Sequence, residues 1–524
     1  MPSNPFAPPV HVPLPSELAD KPALMAWLGL SQPELNKIRW YSRRMYHHFN
    51  IAKRSGSTRQ ITAPDKRLKY LQRKILPLLD QLYRVRHPVH GFVSGKSVKT
   101  NAESHLRRRY LLNIDIKNFF STITQNRVVG LLESIGVSSE VAEVIGDVCC
   151  MDGRLPQGAP TSPVISNMVC FRLDRELMAF AKKARCIYTR YADDISLSSH
   201  QPMSIVFDGI VPSAGNLPRE SLGAEIKNIF AKNGFELNEA KCHYADKHSR
   251  KRVTGITTNE ILNVDRRYVR NLRSILYSVE KDGLASAQSK FSALGFSGDL
   301  WLHLRGKLEW IRIIKGPTDP VVRALIVRHN ACFPTRAITV IPTEEEKRDR
   351  ACWITENKNG QGTLFFLKGI GLITAAHCVD GLSTVEVFHP SKHSNTFSAT
   401  VTHIDSHRDL VVLSHSVPST EYFELTGSTC VVGAGDAIVA MGYPSWGYGD
   451  PLNVRPGVVS ALTVKSGVGL IEVNQKLSPG MSGGPLLDAT GQVIGIIHKG
   501  GPTEPRDFAV HIDVLRDWIS AIVP

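Results

Sequence analysis

The chain has 524 residues, 42% of them hydrophobic and 21% charged; that is too long for one hydrophobic core and too apolar for a disordered polymer. Its formal charge of +15 is uneven: residues 341–524 hold 13 Lys+Arg against 19 Asp+Glu, so residues 1–340 carry +21 and the remainder −6. A surplus of that size on one segment points to a polyanion, nucleic acid being the commonest, ahead of a merely solubilising surface, and implies no such partner for the acidic part. The 9 cysteines are odd in number and show no CxxC pair or zinc spacing, which predicts reduced thiols and argues against a disulfide scaffold. The start MPSNPFAPPVHVPLP lacks the basic and apolar regions of a signal peptide, and no run approaches the ~20 apolar residues of a membrane span. The expectation is a cytoplasmic protein with no membrane partner.

In chain order, residues 1–35 form an N-terminal extension, Pro-rich and then helical from about Ser16 to Leu30. Residues 36–110 mix basic helices with short strand-like pieces. Residues 110–260 alternate strands (YLLNIDI, ARCIYTRYADDISLS, HYADKHSRKRVTGIT) with helices, an α/β pattern. From Asp265 to about Ile314, apolar residues recur at three- and four-residue spacing, which predicts helices. A Pro-punctuated stretch ending in the charge cluster EEEKRDR marks a linker over residues 316–350. Beyond it, β-branched runs (GTLFFL, GLITAAH, DLVVLS, AIVAMG, GQVIGIIH) alternate with Gly, Pro and Asn, as in an all-β domain spanning 351–524.

Two constellations carry chemistry. In RYADDISLS, Asp193 and Asp194 stand side by side between apolar flanks, and in LLNIDIKNFF Asp115 is a lone carboxylate in an apolar run. Buried carboxylates need neutralisation, and their oxygens suit Mg²⁺. Three of them on two strands could hold two Mg²⁺ ions for in-line attack of a hydroxyl on phosphorus. An exposed Asp-Asp turn is the plain alternative. With LPQGAPTSP between these strands and LNEAKCHY after them, about residues 20–315 resemble the reverse transcriptases. That resemblance implies an α/β right-hand polymerase with fingers and palm over 36–260 and a helical thumb over 261–315. It makes Asp115, Asp193 and Asp194 the metal ligands, Phe120 the gate against a ribose 2′-hydroxyl, and Gln157 part of the nucleotide pocket. Lys241 would lie near the leaving pyrophosphate and Arg59, in TRQITAP, on the triphosphate of the incoming dNTP; simple phosphate-backbone contact is the alternative for both.

Two shorter stretches narrow the family. Asn101-Ala102-Glu103-Ser104-His105 is similar to the NAxxH element of retron reverse transcriptases, and Val253-Thr254-Gly255 to their VTG triplet. Asn101 and His105, beside HLRRRY, are expected to form a polar basic surface that grips RNA together with Val253, Thr254 and Gly255. The resemblance implies a dedicated structured RNA as template, priming from its 2′-hydroxyl, and a branched RNA–DNA product (msDNA), an RNA–DNA hybrid.

The second constellation is PGMSGGP. Gly480-Met481-Ser482-Gly483-Gly484 satisfies both the hydrolase elbow and the nucleophile turn of chymotrypsin-like proteases. Chain order decides, because only 42 residues follow Ser482, whereas TAAHC supplies His377 and SHRDL supplies Asp409 upstream. The all-β domain therefore resembles a trypsin-like double barrel in which His377 is the base, Asp409 orients it, and the amides of Gly480 and Ser482 face the oxyanion. Cys378 has no cysteine near residue 362 to bridge with, and Met481 replaces the Asp that a zymogen's new N-terminus would pair with. Control must come from elsewhere, as in the bacterial heat-shock proteases. Lys476, His498 and Lys499 are expected near the S1 pocket, favouring an acidic P1 residue of a protein substrate. The fusion suggests an anti-phage sensor and effector; the alternative is a mobile-element enzyme whose protease processes itself or a neighbour.

Overall fold

The computed structural model describes residues 14–52, 58–238, 241–358, 360–498 and 506–522. The chain divides into two compact units, with the boundary between Val340 and Ile341.

In the first unit, β1 (Tyr46–Ala52) and β2 (Thr58–Pro64) form an antiparallel hairpin. The palm strands are β3 (Tyr110–Asp115), β4 (Ile187–Tyr191), β5 (Asp194–Ser199), β6 (Gly215–Asn216) and β7 (His243–Ala245). They lie antiparallel in the order β4-β5-β3-β7-β6. Strand β5 shows why it lies centrally. Ile195 and Leu197 join the main apolar core, while Ser196 and Ser198 on the other face are also buried and find polar partners. The helix Phe171–Lys183 keeps Leu173, Leu177, Phe180 and Ala181 on one buried face, and Lys182 and Lys183 in its last turn suit the helix dipole. β8 (Arg252–Val253) and β9 (Ile256–Thr257) make a minimal hairpin ahead of the thumb.

Two expected boundaries differ. The N-terminal extension is not peripheral: Leu18, Leu24 and Leu28 are buried in the same core as Leu71 and Ile75 of the helix Lys66–Leu82. Burial of each such leucine is worth about 1.5–3 kcal/mol, which makes this segment part of the fingers. Residues 1–13 of that extension lie outside the described residues. The segment 316–350, expected as a linker, holds the boundary between the two units and is largely helical. Helix Pro320–Cys332, capped by Asp319, packs Val322, Leu325 and Ile326 into the core shared by helices Arg266–Ala293 and Leu300–Lys315, so the thumb has three helices. The first of them breaks at Gly283 (φ 80°, ψ 163°). The cluster TEEEKRDR folds as helix Glu344–Ala351, with a Thr343/Glu346 capping box, acids in its first turn and Arg348 and Arg350 in its last.

The second unit is two closed six-stranded antiparallel barrels. The first uses β10 (Cys352–Asn357), β11 (Gly360–Leu367), β12 (Gly371–Thr374), β13 (Thr384–Phe388), β14 (Thr396–Asp405) and β15 (Leu410–His415). The second uses β16 (Ala437–Gly442), β17 (Asn453–Lys465), β18 (Val468–Val473), β19 (Pro485–Asp488), β20 (Val493–His498) and β21 (Asp507–His511). Helix Ile512–Ile522 follows and buries Leu515 and Trp518. Closure leaves neither barrel a free sheet edge. All nine cysteines are unpaired thiols.

Candidate active sites

The aspartate pair sits on a tight β4–β5 turn. Ala192 takes φ 57° there, and the register places Asp115 on β3 directly opposite Asp194 on β5. The turn is held from behind. Arg190, wholly buried, gives two 2.7 Å bonds to Asp174, one of 3.0 Å to the Asn167 oxygen and one of 3.2 Å to the carbonyl of Ala192 itself. Tyr188 donates to Asp174 at 2.6 Å, and Asn167 donates to the carbonyl of Gly91 at 2.9 Å. Gly91 must be glycine, because a Cβ would stand 2.3 Å from the Ala192 nitrogen.

Asp115 is buried and accepts from Asn238 at 2.8 Å and from Lys241 Nζ at 2.6 Å. Burial, then the charges of Asp193 and Asp115, push the Asp194 carboxyl up to about 7; Asp193 is raised by burial and by Asp115, offset by Lys241 and Arg59. Burial disfavours the Lys241 ammonium, but the three aspartates outweigh it and raise its pKa. The site is thus a like-charge carboxylate cluster partly neutralised by an ammonium that rests on Asp115. Such all-oxygen donors fit a hard divalent cation, which would meet Lys241 at Asp115. Arg59 is exposed on β2, and that hairpin docks through Thr62 N–H to the Gln157 carbonyl at 2.9 Å. Gly158 allows the approach, since a Cβ there would lie 2.8 Å from the Thr62 carbonyl. Phe120 is half-buried, with its ring 5.2 Å from Phe119 and 6.2 Å from Phe92.

In the second unit, His377 lies on a 3-10 turn after β12, and Asp409 (φ 55°) immediately precedes β15. His377 Nδ1 is 2.8 Å from Asp409 Oδ2 and 3.0 Å from Oδ1, and its backbone N–H donates to Oδ1 at 3.0 Å. The pair shifts in opposite directions: Asp409 raises His377, while His377 and His498, against the effect of burial, hold Asp409 well below the usual carboxylate range. Ser482 is 6% exposed. Among the described residues no hydrogen bond joins its Oγ to His377, a contact that commonly tightens only when substrate binds. Around it the glycines are sterically required. A Cβ on Gly480 (φ 92°) would lie 2.4 Å from the Tyr443 carbonyl, and one on Gly483 (φ 80°) 2.1 Å from Thr374 Oγ1. Met481 N–H donates to Ser478 at 3.1 Å, whereas among the described residues the Gly480 and Ser482 amides donate to no protein acceptor. Two unsatisfied N–H groups flanking a nucleophile can receive an oxyanion.

The family described as "Reverse transcriptase (RNA-dependent DNA polymerase)" matches residues 51–296, and "Trypsin-like peptidase domain" matches 362–496. The Retron Ec86 reverse transcriptase of Escherichia coli is 30% identical over 238 residues, covering 45% of this chain and 70% of that protein. This chain belongs to the retron reverse transcriptases. The Retron Mx65 reverse transcriptase of Myxococcus xanthus is 35% identical over 289 residues, 52% of this chain and 62% of that one, so the chain spans about three fifths of that relative's length. Among solved structures, the inactive form of the Rv3671c protease of M. tuberculosis aligns at 22% identity over 34% of this chain and 91% of its own, with a TM-score of 0.30.

Within this retron-family chain, several expected roles change. Asn101 and His105 are each 1% exposed, so neither offers RNA a surface. His105 instead bridges the palm strands, at 2.6 Å to Ser198 Oγ on β5 and 2.7 Å to Thr189 Oγ1 on β4, and burial pushes its pKa down to about 3. Val253 is wholly buried in the thumb core. Thr254 (φ 47°) and Gly255 (φ 85°) form the β8–β9 turn, and Thr254 Oγ1 donates at 3.3 Å to the Val98 carbonyl on the helix that carries Asn101. The VTG turn thus contacts the helix that carries Asn101, and of the five residues only Thr254 and Gly255 reach solvent. His498, expected near S1, has its Nδ1 2.6 Å from Asp409 Oδ2. Lys476 is exposed, and Lys499 lies outside the described residues.

Three contributors carried no sequence signal. Thr363, buried on β11, donates to the Gly480 carbonyl at 2.6 Å, accepts from Tyr443 N–H at 3.0 Å, and its own N–H bonds the Ser482 carbonyl at 2.9 Å. Arg190 and Asp174 likewise act through contacts between elements. One departure is explained, because Met481 is buried in the second barrel's core, where an aspartate could not stand unpaired. Gly362 packs on the other, with a Cβ placed 2.6 Å from Cys378 Sγ.

Proposed function

We propose that this chain is an RNA-directed DNA polymerase joined to a serine endopeptidase. In this reading the polymerase copies a dedicated structured RNA from dNTPs into a branched RNA–DNA, and the protease is the effector of an anti-phage response. What supports it is the presence of two constellations in one retron-family chain: Asp115 paired in register with Asp194 and bonded by Lys241, and Ser482, whose own amide and that of Gly480 are open, in the same unit as the His377–Asp409 pair. Mg²⁺, two ions per site, would when bound supply positive charge to the primer hydroxyl and the reacting phosphate. Asp115, Asp193 and Asp194 hold it, Lys241 then being free to meet the pyrophosphate; Arg59 orients the triphosphate, Gln157 lines the nucleotide pocket, and Phe120 excludes the 2′-hydroxyl. In the protease, His377 Nε2 takes the Ser482 proton as Oγ attacks the scissile carbonyl. Asp409 keeps Nδ1 protonated and compensates the imidazolium, and the Gly480 and Ser482 amides receive the oxyanion.

The test is to purify the protein from its host, deproteinise, treat with RNase and look for a discrete short single-stranded DNA. The expected result is a discrete species that is absent from Asp193→Ala/Asp194→Ala. No DNA in either would leave the basic unit an RNA-binding scaffold. Ser482→Ala should then retain the DNA and lose phage protection; retained protection would instead assign the protease to processing.

A further inference from the structure

We propose that His377, Asp409 and His498 form a transition-metal site of the Zn²⁺ class, and that its occupancy silences the protease. The silencing, though not the binding, rests on the proteolytic reading above.

Three donors converge from three separate elements: the turn after β12, the residue before β15, and the last residue of β20. His377 Nδ1 and His498 Nδ1 approach the same oxygen, Asp409 Oδ2, at 2.8 and 2.6 Å. One ligand atom from each residue lies within 4.8 Å of the other two. Two imidazoles and one carboxylate are a donor set for Zn²⁺, Ni²⁺ or Co²⁺, and a poor one for Mg²⁺ or Ca²⁺. Donors held tetrahedrally on one zinc ion at 2.0–2.2 Å stand about 3.3–3.6 Å apart, so capture needs each ring to part from the carboxylate by roughly 0.5–1 Å. The side chains of His377 and His498 are 49% and 35% exposed, which leaves water room to complete the coordination.

The consequence follows from imidazole chemistry. The hydrogen-bonded arrangement places the proton of His377 on Nδ1, facing Asp409, and leaves the Nε2 lone pair for the Ser482 proton. A metal on Nδ1 takes that lone pair, so the ring must carry its proton on Nε2 instead. No net proton is lost, but Nε2 becomes a donor and can no longer act as base. A protease with buried Met481 in place of the zymogen aspartate would thereby have a reversible off state built into the triad.

The test titrates full-length Ser482→Ala with ZnCl₂ by calorimetry, against Ser482→Ala/His498→Ser and Ser482→Ala/His498→Asn. Any zinc held by the polymerase carboxylates is common to all three and cancels, and melting curves confirm that each is folded. The expected result is one zinc event weakened by at least ~100-fold in both double variants, more than loss of an outer hydrogen-bond partner costs, with Co²⁺ giving visible d–d bands only in the parent. Equal zinc affinity in the three proteins overturns the site and leaves His498 a hydrogen-bonding support of Asp409. With Ser482 restored, zinc should suppress labelling of that serine by a fluorophosphonate, and chelation should restore it. Zinc bound at this site without loss of labelling overturns the silencing. Failure of the metal-free protein to label at all sinks the protease reading while the binding result stands.

Discussion

The two sites solve opposite electrostatic problems. Around Asp115, Asp193 and Asp194 like charges crowd together, Asp115 facing Asp194 in register, and among the described residues only Lys241 offsets them at contact distance. Around Asp409 the opposite holds, since one carboxylate is shared by two imidazoles and a backbone N–H, which lower its pKa. The first site is charge-frustrated until a cation and substrate arrive; the second is already balanced by its own side chains. The general lesson is that a site built for a metal–phosphate substrate stores repulsion, while a site that generates its own nucleophile stores hydrogen bonds.

The most severe way to break the balanced site is Asp409→Asn, which keeps the shape and removes the charge. Its kcat for peptide cleavage should fall by roughly 10⁴-fold through the wrong His377 tautomer, measured on any substrate the native chain cleaves. Primer extension by the same variant should be unchanged. Next in size is Arg190→Met, which leaves Asp174 buried and unpaired and lets the Ala192 turn relax. Urea denaturation should show a loss of about 3–5 kcal/mol from the polymerase unit, with extension lost even where the fold persists.

The comparison is sharpened by pH. Below about 7 Asp194 becomes protonated. The apparent affinity of the polymerase for its divalent cation should therefore drop by up to ~10-fold per pH unit as pH falls, read from metal titrations of primer extension. The stability signs are opposed as well. Asp194 binds its proton more tightly folded than unfolded, so the metal-free polymerase unit loses stability as pH rises from about 4 to about 7. Asp409, held low, contributes stability that is present above the unfolded carboxylate value and is lost as pH falls towards the depressed folded one. The smallest effect is Thr363→Val. Losing the bond to the Gly480 carbonyl should cost about 1–1.5 kcal/mol, or roughly 10-fold in kcat, with KM little changed. Thr363→Ser should restore most of it.

Legibility followed locality. The YADD turn, the TAAHC turn and the GMSGG loop were readable because each binds its function to contiguous residues and to a turn that few side chains permit. Asn101 and His105 were misread because a polar pair beside three arginines looks like a surface. Nothing in the local sequence shows that Thr189 and Ser198 stand ready to satisfy His105 inside the fold. The helices within the linker were missed because Pro320 and the EEEKRDR cluster are common in connectors, yet proline fits a first helical turn and acid-first, base-last order suits a helix dipole.

The amino-acid sequence by itself determined the two-part architecture and the retron-family resemblance, and it singled out the three aspartates and the Ser/His/Asp set as candidates. These depend on residue type, chain order and turn chemistry, all of which are local. Tertiary structure alone decided that Arg190 braces the aspartate turn, that Thr363 reaches from one barrel to the nucleophile loop of the other, and that His498 shares Asp409 with His377. The last two join residues 117 and 89 apart in the chain, and the first depends on Asp174, 16 residues before Arg190; such contacts exist only after strands and barrels have closed.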